Sequence, residues 1–258
     1  MGYHFAYHTD IGKRESNQDS LVIKSYSKNG KKAFLAAVCD GLGGLSRGEV
    51  NSRKAAQILS NWFEGVFVPV ADGTDRPEYM EEQMEMLLRT INRSLFNDNR
   101  AAGSPGGTTM SALLLWNGER FIAHIGDSRI YEIRNGEVRQ LTRDHSYVAR
   151  EVELGHMTEA EAKVSKKRNV LLQCLGAKPF LDEPQVGEDG EEAPAVYLLG
   201  TDGFWHYMEQ DYVLECLSPE KVRPEEMKQC LVNIVKTGRD KGEKDNATAV
   251  VVLTDGKQ

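Results

Sequence analysis

Residues 108–141 read TTMSALLLWNGERFIAHIGDSRIYEIRNGEVRQL, and the two Asn-Gly pairs inside this stretch decide the fold. Asn117-Gly118 separates TTMSALLLW from ERFIAHI, and Asn135-Gly136 separates RIYEIR from EVRQL. Asn and Gly tolerate the left-handed backbone that a type I′ turn needs at its central positions, so each pair is expected to join antiparallel neighbours. Much of the sheet should therefore be antiparallel.

Outward from this core the chain alternates strands with amphipathic helices. Met80, Met84, Leu87, Leu88, Ile91 and Leu95 recur at helical spacing. So do Met227, Leu231, Ile234 and Val235, with Pro224 to start that helix and Gly238 to end it. A further helix is expected from about Glu49 to Phe63, with Val50, Ile58, Leu59 and Trp62 facing inward. Residues 68–78 (VPVADGTDRPE) and 182–194 (DEPQVGEDGEEAP) are rich in turn formers and acids and read as surface loops. Residues 144–170 carry the helical segment DHSYVAREVELG, a capping box from Thr158 to Glu161 and the basic run Lys166, Lys167, Arg168. That segment is either a mobile flap beside an active site or a plain helical excursion. Hairpins with interspersed helices indicate packed sheets covered by helices.

A chain of 258 residues fits one compact domain. A formal charge of −7 and a pI near 5.5 argue against nucleic acid or an anionic membrane as partner, since both require a basic footprint. No run approaches the roughly 20 apolar residues of a membrane span. The start MGYHFAYHTD lacks the regions of a signal peptide, so a cytoplasmic location is expected. Cys39, Cys174, Cys216 and Cys230 lack CxxC spacing and read as buried free thiols.

Apolar stretches that run into or out of an aspartate beside a turn residue carry the functional signal. They are RESNQDSLVIKSY with Asp19, AFLAAVCDGLGG with Asp40, RFIAHIGDSR with Asp127, AVYLLGTDGFW with Asp202 and EKDNATAVVVL with Asp245. A carboxylate desolvated at the end of a buried strand is costly unless paired. Hard divalent cations such as Mg²⁺ or Mn²⁺ prefer oxygen donors and would gather these side chains at one sheet edge. Other chemistries fit less well. His145 beside Ser146 suggests a Ser/His/Asp triad, but neighbours in an extended segment point apart, and no Gly-x-Ser-x-Gly elbow is present. No phosphate-cradling Gly-x-x-x-x-Gly-Lys-Ser/Thr loop occurs either.

The motifs, in chain order, resemble those of a known family. They are Gly-x-Arg-x-x-Asn-Gln-Asp (Gly12 to Asp19), Asp-Gly-Leu-Gly-Gly (Asp40 to Gly44), Gly-Gly-Thr-Thr (Gly106 to Thr109) and Gly-Asp-Ser-Arg (Gly126 to Arg129). Then follow Leu-Thr-Arg-Asp-His-Ser (Leu141 to Ser146), Arg-Asn-Val-Leu (Arg168 to Leu171), Thr-Asp-Gly-Phe-Trp (Thr201 to Trp205) and Asp-Asn-Ala-Thr (Asp245 to Thr248). Together they resemble the bacterial branch of the metal-dependent protein phosphatases, the type 2C Ser/Thr phosphatases, over nearly the whole chain. The resemblance implies an α+β fold, a four-layer αββα sandwich of two antiparallel sheets flanked by helices. It implies a single domain over 1–258, with a helical flap at about 144–170.

Residue by residue, the resemblance makes Asp40 the carboxylate bridging two cations and the Gly41 carbonyl a ligand of one. Asp202 and Asp245 become ligands of the other cation, and Asp19 acts through bound waters. Asp127, with Asp202, matches the holder of a weaker third metal. Two Mn²⁺ or Mg²⁺ ions, with that third, are the implied cofactors. The implied reaction is hydrolysis of phosphoserine and phosphothreonine by a water activated between the two metals, with no covalent phosphoenzyme. Arg14 would grip the phosphate with its planar fork of donors, the bland alternative being an ion pair with Glu15 or another acid.

Some positions depart from the family pattern. Gln18 stands where many relatives have Glu, Leu42 where animal relatives have His, and Lys167 where a proline is usual. His206 stands where relatives generally have an acid near the third metal, and reads either as a ligand or as a hydrogen-bonded structural His. The expected partners are phosphorylated proteins and a Ser/Thr kinase, and a monomer is expected. The alternatives are an inactive phosphoprotein-binding adaptor and a phosphatase dedicated to one regulatory substrate of the anti-sigma antagonist type.

Overall fold

The computed structural model describes residues 2–43, 47–71, 77–179, 184–188 and 194–255. In chain order the first strands are β1 (Tyr3–Asp10), β2 (Asp19–Lys28) and β3 (Lys31–Leu42). The helices α1 (Arg47–Trp62), α2 (Val68–Ala71) and α3 (Pro77–Ala101) follow, with a π turn over Phe63–Phe67. Next come β4 (Gly107–Thr108), β5 (Met110–Trp116), β6 (Glu119–Ile125), β7 (Arg129–Arg134) and β8 (Glu137–Gln140). The middle segment holds α4 (Tyr147–Glu153) and α5 (Glu159–Val164), then β9 (Gln185–Glu188) and β10 (Ala195–Gly200). The described chain closes with α6 (Asp202–Trp205), α7 (Gln210–Leu217), α8 (Pro224–Asp240) and β11 (Ala247–Thr254).

The strands form two antiparallel sheets, one in the order β1-β11-β10-β7-β8 and the other β2-β3-β5-β6-β9, with β4 on β3. Both expected Asn-Gly hairpins are present, with positive φ at Asn117, Gly118, Asn135 and Gly136. A third, at Asn29-Gly30, turns β2 into β3. Strands buried on both faces read as continuous apolar runs because their alternate side chains enter different layers. In β3, Phe34, Ala36 and Val38 lie between the sheets with Leu113, Leu115, Val250 and Val252. Ala33, Leu35, Ala37 and Cys39 face the layer of α1 and α3 with Leu59, Leu88 and Ile91. On the far side Val251 and Leu253 meet Met227, Leu231 and Ile234 of α8. The expected four-layer αββα sandwich is what these three apolar layers build.

Several local expectations are corrected. In α1 the buried stripe is Gly48, Asn51, Ser52, Ala55, Ala56, Leu59 and Trp62, while Val50 is 45% exposed. The stripe starts at Gly48, Asn51 and Ser52, of which Ser52 holds the Gln18 loop beside the site, so counting apolar side chains misplaces its start. Residues 68–71 are not a loop: the helix widens through the π turn and continues as α2, burying Phe63, Phe67 and Ala71. Residues 72–76 of the stretch read as a loop lie outside the described residues. Within 182–194, Gln185–Glu188 form the edge strand β9 on β6, and 182–183 and 189–193 lie outside the described residues. Helix α8 runs past Gly238 to Asp240, and the left-handed turn falls at Gly242. Cys216 and Cys230 are not free thiols but a disulfide between α7 and α8, with Cα atoms 6.1 Å apart; helix packing, not sequence spacing, brings them together. Cys39 and Cys174 are free.

Candidate active site

The sandwich places the ends of strands from both sheets at one edge, and the aspartates arrive there with them. Asp19 opens β2 directly opposite Asp40 on β3. Asp202 opens α6 immediately after β10, Asp127 follows β6, and Asp245 precedes β11. The turn after Asp40 is held by threonines. Thr109 N–H donates to the Asp40 carbonyl at 2.8 Å, the Thr108 hydroxyl donates to the same carbonyl at 2.9 Å, and Asp40 N–H donates to Thr109 Oγ1 at 2.9 Å. Gly41 is required here because a Cβ would lie 2.2 Å from the Gly48 carbonyl oxygen. The loop carrying Arg14 is pinned by Asn246, whose Oδ1 accepts Gln18 N–H at 2.8 Å. Its Nδ2 donates to the carbonyls of Ile11 at 2.8 Å and Ser16 at 3.1 Å. Ser52 reaches in from α1 to donate to the Gln18 carbonyl at 2.5 Å.

Asp19, Asp40 and Asp202 retain some exposure at the mouth of the site, yet the protein around them removes most of their solvation. Burial pushes the Asp40 carboxyl well above the usual range, and the charges of Asp19, Asp202, Asp127 and Asp245 push it further. Burial likewise raises Asp19 to about 7, against the hydrogen bonds of Thr248 and Thr201, with repulsion from Asp202 and Asp245 adding to it. Asp202 is raised to about 6 by burial and then by Asp245 and Glu243. Asp127 is raised by burial, Asp202 and Asp144, partly offset by Arg129.

Among the described residues, no three His, Cys, Asp or Glu side chains stand ready at ligand spacing. Asp245 is turned onto Arg14, which grips it with Nε at 2.9 Å and Nη2 at 2.6 Å, and Asp19 Oδ2 accepts the Thr201 hydroxyl at 2.9 Å. The donor set still fits a hard divalent cation. Asp19 Oδ1 and Asp202 Oδ1 are buried without a hydrogen-bond partner, and the crowded negative charge is what a cation would relieve. Arg14 pairs directly with this cluster, and its partner is Asp245, not Glu15.

A cleft of about 1020 Å³ leads away from Asp127, Asp202 and Asp245, between the 144–170 segment and the start of α7. The segment holds the expected capping box, with Thr158 and Glu161 bonded reciprocally. Its entry is fastened by Asp144, which accepts Arg129 Nε at 2.9 Å and Nη2 at 2.7 Å. The Arg129 guanidinium lies 3.4 Å over the Trp205 ring, and Trp205 Nε1 donates to the Asp127 carbonyl at 3.0 Å. His145 and Ser146 form no triad: His145 Nδ1 accepts the Gly126 N–H at 3.1 Å, and the Ser146 hydroxyl caps α4. His206 Nδ1 lies 2.8 Å from Glu243 Oε2. Burial opposes ionisation of Glu243, but hydrogen bonds from His206 and from the N–H groups of Asp245 and Lys244 hold it ionised, with its pKa down to about 2.

A family model described as Protein phosphatase 2C matches residues 8–258. The chain belongs to the protein phosphatase 2C family. It is 28% identical over 256 residues to the "Serine/threonine phosphatase stp" of Listeria monocytogenes serotype 4b, covering 98% of this chain and 96% of that one. It superposes on the crystal structure of Serine/threonine phosphatase Stp1 from Staphylococcus aureus with a TM-score of 0.85 at 25% identity, covering 99% of this chain and 96% of that one. A further similar structure is the catalytic domain of the phosphatase PstP in complex with two manganese ions, with a TM-score of 0.78, 25% identity, and coverage of 98% and 99%.

In this protein phosphatase 2C chain Asp19, Asp40, Gly41, Asp127, Asp202 and Asp245 all reach the same edge, with Arg14 beside them. Reasoning from sequence missed the residues that hold them there: Thr109, Thr201, Trp205, Glu243 and the amide of Asn246. Thr109, Thr201, Trp205 and Asn246 stood inside quoted motifs and could have been singled out. Glu243 carried no signal, because its partner His206 comes from another element.

Proposed function

We propose that this chain is a metal-dependent phosphatase that hydrolyses phosphoserine and phosphothreonine in proteins, working as one unit over 1–258 with 144–170 as its flap. One observation carries the reading: carboxylates from both sheets crowd one edge, with buried oxygens of Asp19 and Asp202 left without a partner and Arg14 alongside. Asp40, Asp202, Asp245 and the Gly41 carbonyl would hold two divalent cations, Mn²⁺ or Mg²⁺, with Asp19 acting through water. Asp127 with Asp202 would hold a weaker third. Bound there, such ions supply Lewis-acid charge and lower the pKa of a water so that it can attack phosphorus at neutral pH.

The protein's own groups do the rest. Arg14 exchanges Asp245 for the phosphate oxygens, meeting them with two donors of its planar fork. Asn246 and Ser52 keep the loop from Arg14 to Asp19 in place during that exchange. The cleft beyond Asp202 and Asp245 takes the polypeptide on either side of the phosphorylated residue, which is the product of a Ser/Thr kinase.

The test is phosphate release from a phosphothreonine peptide by chelated protein titrated with Mn²⁺ and Mg²⁺, beside Asp202→Asn. Turnover that appears with metal and is lost in the variant is the expected result. Metal binding without turnover would point to a phosphoprotein-binding adaptor or a narrowly dedicated phosphatase, and no metal binding would overturn the assignment.

A further inference from the structure

Outside the aspartate cluster an unbroken polar chain runs from the 144–170 segment to the turn that carries Asp245 into β11. Arg168, at the exit of the segment, directs its Nε–H at Nε2 of His206, 3.4 Å away. The other ring nitrogen of His206, Nδ1, lies 2.8 Å from Glu243 Oε2. Glu243 then accepts on Oε1 the backbone N–H groups of Lys244 at 2.7 Å and Asp245 at 3.0 Å. Arg168, His206 and Glu243 all line the cleft, and the His206 and Glu243 side chains are only 15% and 9% exposed.

The partners decide the tautomer. A carboxylate beside Nδ1 requires the proton there, which leaves Nε2 bare to accept from Arg168. Both ring nitrogens are then engaged, and no lone pair remains for a cation. Of the two readings open for His206, ligand or hydrogen-bonded side chain, this geometry favours the second and gives it a purpose.

We propose that His206 is a positioning residue that couples the flap to Asp245. One nitrogen holds Glu243 against the turn entering β11, and the other docks Arg168, so that the seating of the 144–170 segment and the placement of Asp245 depend on each other. The proposal rests on the phosphatase reading above and deepens it, naming how the wall of the substrate cleft communicates with a metal ligand.

Variants separate the two halves. His206→Asn keeps an N–H donor near the place of Nδ1 for Glu243 but cannot reach Arg168. Glu243→Gln keeps an oxygen for the two backbone N–H groups but turns an NH₂ toward Nδ1, forcing the tautomer whose Nε2–H opposes Arg168. His206→Ala cuts both links. Amide hydrogen exchange, Mn²⁺ affinity by calorimetry, and KM and kcat on a phosphothreonine peptide are measured for each, alone and combined with Arg168→Ala.

In His206→Asn and Glu243→Gln, exchange is expected to rise in residues 147–170 and not in 244–248. Peptide KM should rise more than kcat falls, and adding Arg168→Ala should change neither further, the non-additivity of residues that share one link. In His206→Ala, exchange at 244–248 should rise as well, and Mn²⁺ affinity should fall by about tenfold, the size typical of losing a group that orients a ligand. Full additivity with Arg168→Ala, or unchanged exchange in 147–170, would overturn the proposal. If His206→Ala does not fold, the other two variants decide. Failure of the unaltered protein to bind Mn²⁺ would overturn the phosphatase reading alone, because the exchange coupling between Arg168 and His206 is read without metal.

Discussion

Gly203 lies so close to Asn246 that a Cβ on it would sit 2.1 Å from the Asn246 carbonyl oxygen. Each of these residues directly follows a site aspartate, so the absence of one side chain sets the separation of Asp202 and Asp245. Gly203→Ala must push the start of α6 away from β11. The expected cost is on the order of 3 kcal/mol of stability, as for an overpacked core, accompanied by weakened metal binding. Urea unfolding with and without Mn²⁺ measures both, and a variant of unaltered stability would show that the approach is looser than described.

Asp202→Asn removes a charge from a cluster that repels itself while keeping the side-chain volume. Metal-dependent turnover should fall by more than about 100-fold, since even groups that merely support a ligand cost 10 to 100-fold. The same variant in chelator should unfold at a higher temperature than the unaltered protein, because Asp202 no longer crowds Asp40 and Asp127. A lower melting temperature in chelator would contradict the repulsion.

Stability in chelator should fall as pH rises. The folded-state pKa values of Asp19 and Asp202 are raised from 3.8 to about 7 and about 6, so between those limits the folded state holds protons that the unfolded chain has lost. The stabilisation is complete below about 4 and is lost as pH rises through the folded values. Saturating Mn²⁺ should reverse the trend. Melting curves from pH 4.5 to 8, with chelator and with metal, would reveal it, and a chelated protein most stable at pH 8 would rule it out.

Arg14→Ala should raise KM for a phosphopeptide and lower kcat/KM by about 10 to 100-fold, the worth of a charge-assisted hydrogen bond. Arg14→Lys should recover only part, because an ammonium cannot make the paired contact that Nε and Nη2 now make with Asp245. Equal kinetics for Lys and Arg would mean that a point charge is enough.

Cys216→Ser should lower the unfolding free energy by about 3 kcal/mol without reductant, the expected entropy of closing a loop of this length; the sequence separation is 14. In excess reductant the variant and the unaltered protein should unfold alike.

The hairpins and the aspartates were legible because their signals are local. A type I′ turn needs residues that accept positive φ, and Asn117-Gly118 and Asn135-Gly136 announce it in two letters. The helix stripe from Met80 to Leu95 was equally plain, since all six of its apolar residues are buried. What could not be read depends on partners distant in the chain. Asn51 and Ser52 look like surface positions until α1 lies against the Gln18 loop, and Val50 looks like core until the same packing turns it outward. The ion pair of Arg14 with Asp245 spans 231 residues, and nothing local distinguishes Asp245 from the neighbouring Glu15. The Cys216–Cys230 link depends in the same way on how α7 crosses α8.

Strand β11 lies between β1 and β10, so the first strand of the sheet and the one that delivers Asp202 both pair with the last strand described. During synthesis neither partner can complete its ladder until residues 247–254 have emerged, and such long-range pairing is slow to form. Until then the Arg14 loop lacks Asn246 to pin it, and the carboxylates contributed by β2 and β3 have no opposite wall. The edge that gathers the aspartates is therefore incomplete until β11 has been inserted between β1 and β10.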